Sequence, residues 1–142
     1  MPNTSIIILA DRRVLRITAS AGTYEDTGLS VTLPSAGTFL VTADVRGFMR
    51  GFTGTSWWIT AKFYNSTDNA DVANSQRMVV LIDVTGVQLQ QTCTLTAIIT
   101  VAASKTIKLY AFRNGTGTPS WTNSSLVSDA NGRTKMSYIG IK

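Results

Sequence analysis

Apolar and polar residues alternate with a period of two through most of this chain, and that pattern commits it to β-strands. Leu29-Ser30-Val31-Thr32-Leu33 alternates strictly and stops at Pro34. Gly37 opens a longer run, Thr38 to Phe48, in which Phe39, Val41, Ala43 and Val45 share one face. From Trp57 to Tyr64, Trp57, Ile59, Ala61 and Phe63 lie on one side and Trp58, Thr60, Lys62 and Tyr64 on the other. Thr92 to Val101 sets Thr92, Thr94 and Thr96 against Cys93, Leu95 and Ala97. Thr106 to Phe112 sets Ile107, Leu109 and Ala111 against Lys108, Tyr110 and Phe112. Val14 to Thr18 predicts an early strand. Lys135 to Ile141 predicts a closing one, with Met136, Tyr138 and Ile141 facing inward. Arg77 to Val84 is almost wholly apolar and β-branched, which predicts a central strand. The best helical stretch is a single short turn at Asp68 to Ser75. Turns are expected at Ala103-Ser104, Asn114-Gly115 and Asn131-Gly132, the Asn-Gly pairs through positive φ. About eight to ten strands in one domain make an antiparallel sandwich or a closed barrel.

The size and composition remove several classes of function. A chain of 142 residues fits one domain, and 44% hydrophobic residues suffice for a core without metals or disulfides. Histidine is absent, which removes the Ser-His-Asp and Cys-His arrangements and any imidazole base. The common zinc sites fail for the same reason, since only Cys93 is left as a soft ligand. Cys93 forms no intrachain disulfide and is expected to be a buried structural residue. No marked carboxylate pair points to glycoside hydrolysis, so no enzyme and no cofactor is expected. Ile6 to Ala10 is too short for a signal-peptide core, and its arginines follow rather than precede it. No apolar stretch is long enough for a membrane-spanning helix, so no membrane partner is expected.

The polar features divide between bland and specific readings. Asp68-Asn69-Ala70-Asp71, with Asn65 before it, offers oxygen ligands but lacks the glycine and terminal glutamate of a calcium loop; a solvated loop with Asx turns fits it better. The net charge of +5 is concentrated at Arg12, Arg13 and Arg16, with Arg46 and Arg50 as a second group. These basic groups are not interleaved with aromatics as a nucleic-acid stacking platform requires. Docking onto an acidic protein surface through Arg12, Arg13 and Arg16 is the favoured reading, with no nucleic-acid partner. Trp57, Trp58 and Trp121 follow Gly-Thr loops. Such aromatics stack on sugar rings when exposed, or fill a core or subunit interface when covered. Tyr64 and Tyr138 join them as candidates for a trimer interface or for stacking on a host-surface glycan.

The stretch TGLSVTLPSAGTFLVTADVRG resembles the early strands of the tumour-necrosis-factor-like and complement-head-like jelly roll, with Gly37, Phe39 and Val41 on the matching pattern. The segment SWWITAKFYNSTDNADVANSQRMVVL and the ending GRTKMSYIGIK, with Tyr138 and Ile139, resemble bacterial-virus members of that group. The resemblance covers roughly residues 20 to 142 and describes a sandwich more than an activity. It implies an all-β jelly roll assembled as a homotrimer, with aromatic faces between subunits. It also implies a virion role: fibre tip, baseplate part or capsid decoration. The complement-type calcium ligands are not recognisable here. Residues 1–19 are expected to be an N-terminal strand or docking arm and residues 20–142 the jelly roll. That leaves no stalk, which favours a bacteriophage cement protein bound to the major capsid protein over a receptor-binding fibre head. Synthesis in a host cytoplasm and use in the virion follow from the same reading.

Overall fold

The computed structural model describes residues 4–8, 13–18, 21–53, 56–84, 86–116 and 120–141; for 4–8, 13–16, 51–53 and 120–123 it describes the backbone only. The described residues form eleven strands and no helix. They are β1 (Thr4–Ile8), β2 (Arg13–Arg16), β3 (Glu25–Leu33), β4 (Gly37–Thr53), β5 (Trp57–Asn65), β6 (Ala70–Asp71), β7 (Arg77–Ile82), β8 (Gln88–Val101), β9 (Lys105–Gly115), β10 (Ser120–Ser128) and β11 (Lys135–Gly140).

Two antiparallel sheets face one another as a jelly-roll sandwich. The first has the order β1-β11-β4-β10-β2, with β8 along the other side of β4. The second has the order β3-β9-β5-β6, with β7 also on β5. β4 organises the first sheet because its 17 residues span two partners on one side, β11 and then β10, and β8 on the other. Its alternation does what the sequence predicts: Phe39, Val41, Ala43 and Val45 are buried. They meet Trp57, Ile59, Ala61 and Phe63 of β5 and Ile107, Leu109 and Ala111 of β9 in one core. Leu29, Val31 and Leu33 of β3 complete it. The expected early strand at Val14 to Thr18 is β2 with its continuation, and the segment before it supplies β1, paired to β11 from Thr4↔Ile139 to Ile8↔Lys135.

Six local expectations are corrected. β7 is an edge strand, not a central one, since among the described residues it pairs only with β5. A register shift opposite Ile59 and Thr60 lets Val79 and Val80 both face the core, which is why the run reads as continuously apolar. The segment 68–75 holds no helix. Asn65 Oδ1 accepts from the Thr67 and Asp68 amides, and Asn69 and Asn74 adopt positive φ of 52° and 58°. These Asx and left-handed conformations end any helical path. Asn114 and Gly115 lie in β9 rather than in a turn, and the last hairpin turns at Ala130-Asn131, closed by the Asp129–Gly132 bridge without positive φ at Asn131 or Gly132. Ile141 follows the last strand and is 47% exposed, because only its amide is tied in, donating to the Thr38 carbonyl. Cys93, expected to be buried, is half-buried on edge strand β8 and packs against the rim of the core.

Gly47 is required by the bulge of β7. It has the inward parity of Val45 and Met49, yet a Cβ placed there would lie 2.9 Å from Val79 Cγ1 and 3.0 Å from Val80 Cγ1. The two valines occupy the volume that a side chain at 47 would need. Thr134 supplies a second fixed point. Its hydroxyl is fully buried, donates to the Val127 carbonyl at 2.7 Å and accepts from the Arg46 amide at 3.1 Å. Thr134→Val keeps the shape but strands both backbone groups, so chemical denaturation should show a loss of about 1–3 kcal/mol.

Candidate interaction surfaces

The outward side of the second sheet gathers most of the partly exposed aromatic rings. The β5–β9 register sets Trp58 opposite Asn114, Thr60 opposite Phe112, Lys62 opposite Tyr110 and Tyr64 opposite Lys108. Asp26 of β3 lies beyond Tyr110, Asp71 of β6 beside Tyr64, and Leu81 and Met78 of β7 beside Trp58 and Thr60. Tyr64 and Tyr110, diagonal neighbours, stack with ring centroids 4.6 Å apart and planes 14° from parallel. Tyr24, just before β3, lies edge-on to Phe112 at 4.4 Å, and the Lys62 ammonium sits 3.8 Å from the centre of its ring. This cover explains why Thr60 and Phe112 are buried although they point away from the core. Met78 stays 51% exposed at the margin.

The charges on this face are paired. Lys62 contacts Asp71 at 2.7 Å and Lys108 contacts Asp26 at 2.6 Å; Lys105 reaches Asp68 at 2.5 Å near the edge. The hydrogen bond to Asp26 raises the Lys108 pKa, and the one from Lys105 lowers that of Asp68. The face therefore presents adjacent donors and acceptors beside aromatic rings, with little net charge.

The Tyr24 hydroxyl is shielded from water and has no hydrogen-bond partner among the described residues. Burial, helped by the Asp71 carboxylate, pushes its pKa up to about 12. Tyr24→Phe should therefore remove a phenolate absorbance step near pH 12 from an alkaline titration. In linkage terms, Tyr24 favours the folded chain fully below its unfolded pKa near 10 and loses that preference as pH rises through 12.

The outward side of the first sheet is different: threonine-rich, and apolar at one end. Ile139, Leu40 and Ile98 form a row across β11, β4 and β8. Ile98 is 70% exposed. Thr38 bonds Thr100 across the strands at 3.0 Å, and Thr94 donates to Asp44 at 2.7 Å. Farther along, Arg46 is held by Asp129 at 2.5 Å, by the Gly132 carbonyl and by Gln90. The Asn131 amide and Arg46 together hold the Asp129 carboxyl below its usual range.

The residues singled out from the sequence separate accordingly. Trp57 is fully buried between the sheets, and Tyr138 is buried edge-to-face against Phe39 at 5.6 Å. Within this chain both rings are core, so neither is presented to a subunit or a sugar; alternation with Ile59 and Met136 places them there. Trp58 and Tyr64 do lie on the outer aromatic face, half-buried. Trp121 stands opposite Gly51 on β10, but its side chain is outside the described residues. Arg12 is also outside them, and for Arg13 and Arg16 the backbone alone is described, paired with Ser128 and Ser125. Tyr110 and Phe112 belong to the aromatic face and were legible from their parity with Lys108. Tyr24 lies outside any strand and carried no such signal.

This fold recurs in solved viral structures. The chain is similar to a chain of the infectious bursal disease virus Gx strain structure, with TM-score 0.57 and 17% identity over 98% of its length. It is similar to the VP2 subviral particle of that virus, with TM-score 0.58 and 15% identity over 97%. A Gt strain structure gives 0.56 and 15% over 97%. The chain spans about a third of the length of each of these chains. No protein-family model and no curated relative matches it. At these identities the likeness shows the fold: an antiparallel jelly-roll sandwich shared with these viral structures.

Proposed function

We propose that the chain is a structural protein of a virion, and more narrowly a trimeric decoration protein that binds and stabilises a bacteriophage capsid. The observation that carries this reading is the match of nearly the whole sandwich to part of the subviral-particle protein VP2. The half-exposed aromatic face supports it, since Tyr and Trp supply apolar area with a polar handle at subunit contacts. In this reading Trp58 and Tyr64 lie at the threefold contact, and the basic residues Arg12, Arg13 and Arg16 meet the major capsid protein. A trimer seated where shell subunits meet links them, and its several weak contacts act together. Binding only to the assembled shell stabilises that shell by mass action, by about 2.7 kcal/mol at a free concentration 100 times Kd. Adding the purified chain to shells that lack it should raise their disruption temperature and then saturate. Shells whose disruption temperature does not move would refute the reading.

A second reading has its own observation. The Tyr64–Tyr110 stack beside the Lys62–Asp71 and Lys108–Asp26 pairs offers ring faces and paired donors and acceptors to a neutral sugar. A carbohydrate-binding head predicts glycan-array signals that Tyr110→Ala abolishes. The decoration reading predicts no such signal.

A further inference from the structure

We propose that the free edge of β8 pairs with the same edge of a second copy of this chain, antiparallel across a twofold axis at Ile98, so that one sheet continues from protomer to protomer. β8 hydrogen-bonds β4 in unbroken register from Gly37↔Val101 to Arg50↔Gln88. Among the described residues no strand pairs with its other edge. Near its start, Gln91 reaches across to the Leu81 amide. From Thr94 to Val101, the cross-strand hydrogen bonds of the described residues go to β4.

The other described edges are blunted against pairing. β3 carries Glu25 and Asp26 and a register shift around Gly28, whose φ is 81°. β7 is shifted in register and begins at Arg77. β6 has two residues, β1 has five, and β2 has four with an arginine at each end. β8 has 14 residues with no charge, no glycine, no proline and no register shift. A long uncharged edge of that kind is a template for another strand, and folded proteins ordinarily break it with lysine, proline or a bulge. Its retention fits an edge that is covered in the assembled state.

The sequence of the edge favours a second copy as the occupant. Twofold pairing sets like residues at equal distances from the axis, so any charge would face a like charge and repel. Here there is none. With the axis at Ile98, Thr96 stands opposite the copy's Thr100, Leu95 opposite Val101, and Ala97 opposite Ile99. Thr–Thr pairs across strands already form within the chain, Thr38 with Thr100 and Thr32 with Thr106. Ile98, the most exposed large apolar side chain described, meets its own copy. The row Ile139–Leu40–Ile98 then runs on into Ile98–Leu40–Ile139 of the second protomer. This contact does not depend on the threefold one; the two together would join trimers into a larger lattice.

The test is cysteine cross-linking on a Cys93→Ser background, with oxidised glutathione accepting the two electrons and two protons of each new disulfide. Ile98→Cys should give a disulfide-linked dimer as its main product, because facing residues of an antiparallel pair lie within disulfide range. Thr94→Cys, about 27 Å from its copy in this register at ~3.4 Å per residue, should give at least tenfold less. Equal yields, or no dimer from Ile98→Cys, would overturn the pairing. Ile98→Lys faces solvent and spares the fold; it should lower the mass seen in sedimentation at least twofold, to that of the assembly without the β8 contact. An unchanged mass would also overturn the proposal.

Discussion

Replacing Trp57 by alanine lowers the unfolding free energy by about 3–5 kcal/mol, a drop of roughly 10–20 °C in Tm, while Trp58→Ala costs well under half as much. The two tryptophans are consecutive, so they point to opposite faces of β5. Trp57 enters the core, with Ile82 of β7 and Gly115 of β9 as its cross-strand neighbours. The residues around it cannot all collapse into the volume that alanine would vacate. Trp57 Nε1 is buried without a hydrogen-bond partner among the described residues, and a donor left unpaired there costs the fold free energy. Trp57→Phe should therefore cost markedly less than Trp57→Ala, because it removes the stranded donor and keeps most of the apolar volume. Thermal unfolding of the three variants checks the ranking. Equal losses at Trp57 and Trp58 would contradict the assignment of Trp57 to the core.

Gly47→Val should come close to that effect by the opposite route. Overpacking costs typically about 1–3 kcal/mol, and a β-branched side chain here belongs at or above the upper end. Its first atom already falls 2.9–3.0 Å from the stiff Val79 and Val80 side chains, and both are anchored by the bulge of β7. Gly47→Ala should show a smaller loss. Val79→Ala opens the space from the other side, so the double variant Gly47→Ala/Val79→Ala should be more stable than the sum of the single losses predicts. A double-mutant cycle of denaturant midpoints measures that coupling, expected at about 0.5–3 kcal/mol for residues in contact. Additive losses would separate Gly47 from the bulge.

Much of this architecture is written in period-two alternation. β3, β4, β5 and β9 read correctly because each has one apolar face, and a face once assigned places every residue on the strand. The same logic held the answer for Trp57 and Tyr138: each shares parity with small or aliphatic core residues. β7 misled because a bulge turns two adjacent valines inward, and a bulge has no signature in a run of Met-Val-Val-Leu-Ile. Asn131-Gly132 misled because the dipeptide states a preference for positive φ, while the Arg46–Asp129 contact and the surrounding strands set the turn one residue earlier. The aromatic face was half legible. Tyr64, Tyr110 and Phe112 follow from strand parity, but Tyr24 comes from a connection whose path only the folded sheet determines. Strand partners were not legible at all, since β4 meets strands up to about 100 residues away in sequence.

Imaging of intact particles from cells that make this chain tests the central proposal most directly. A virion decoration protein appears as a sandwich of this size repeated over the shell, in groups of three seated where capsid subunits meet. Particles that carry the chain only at the tail, or not at all, would contradict it.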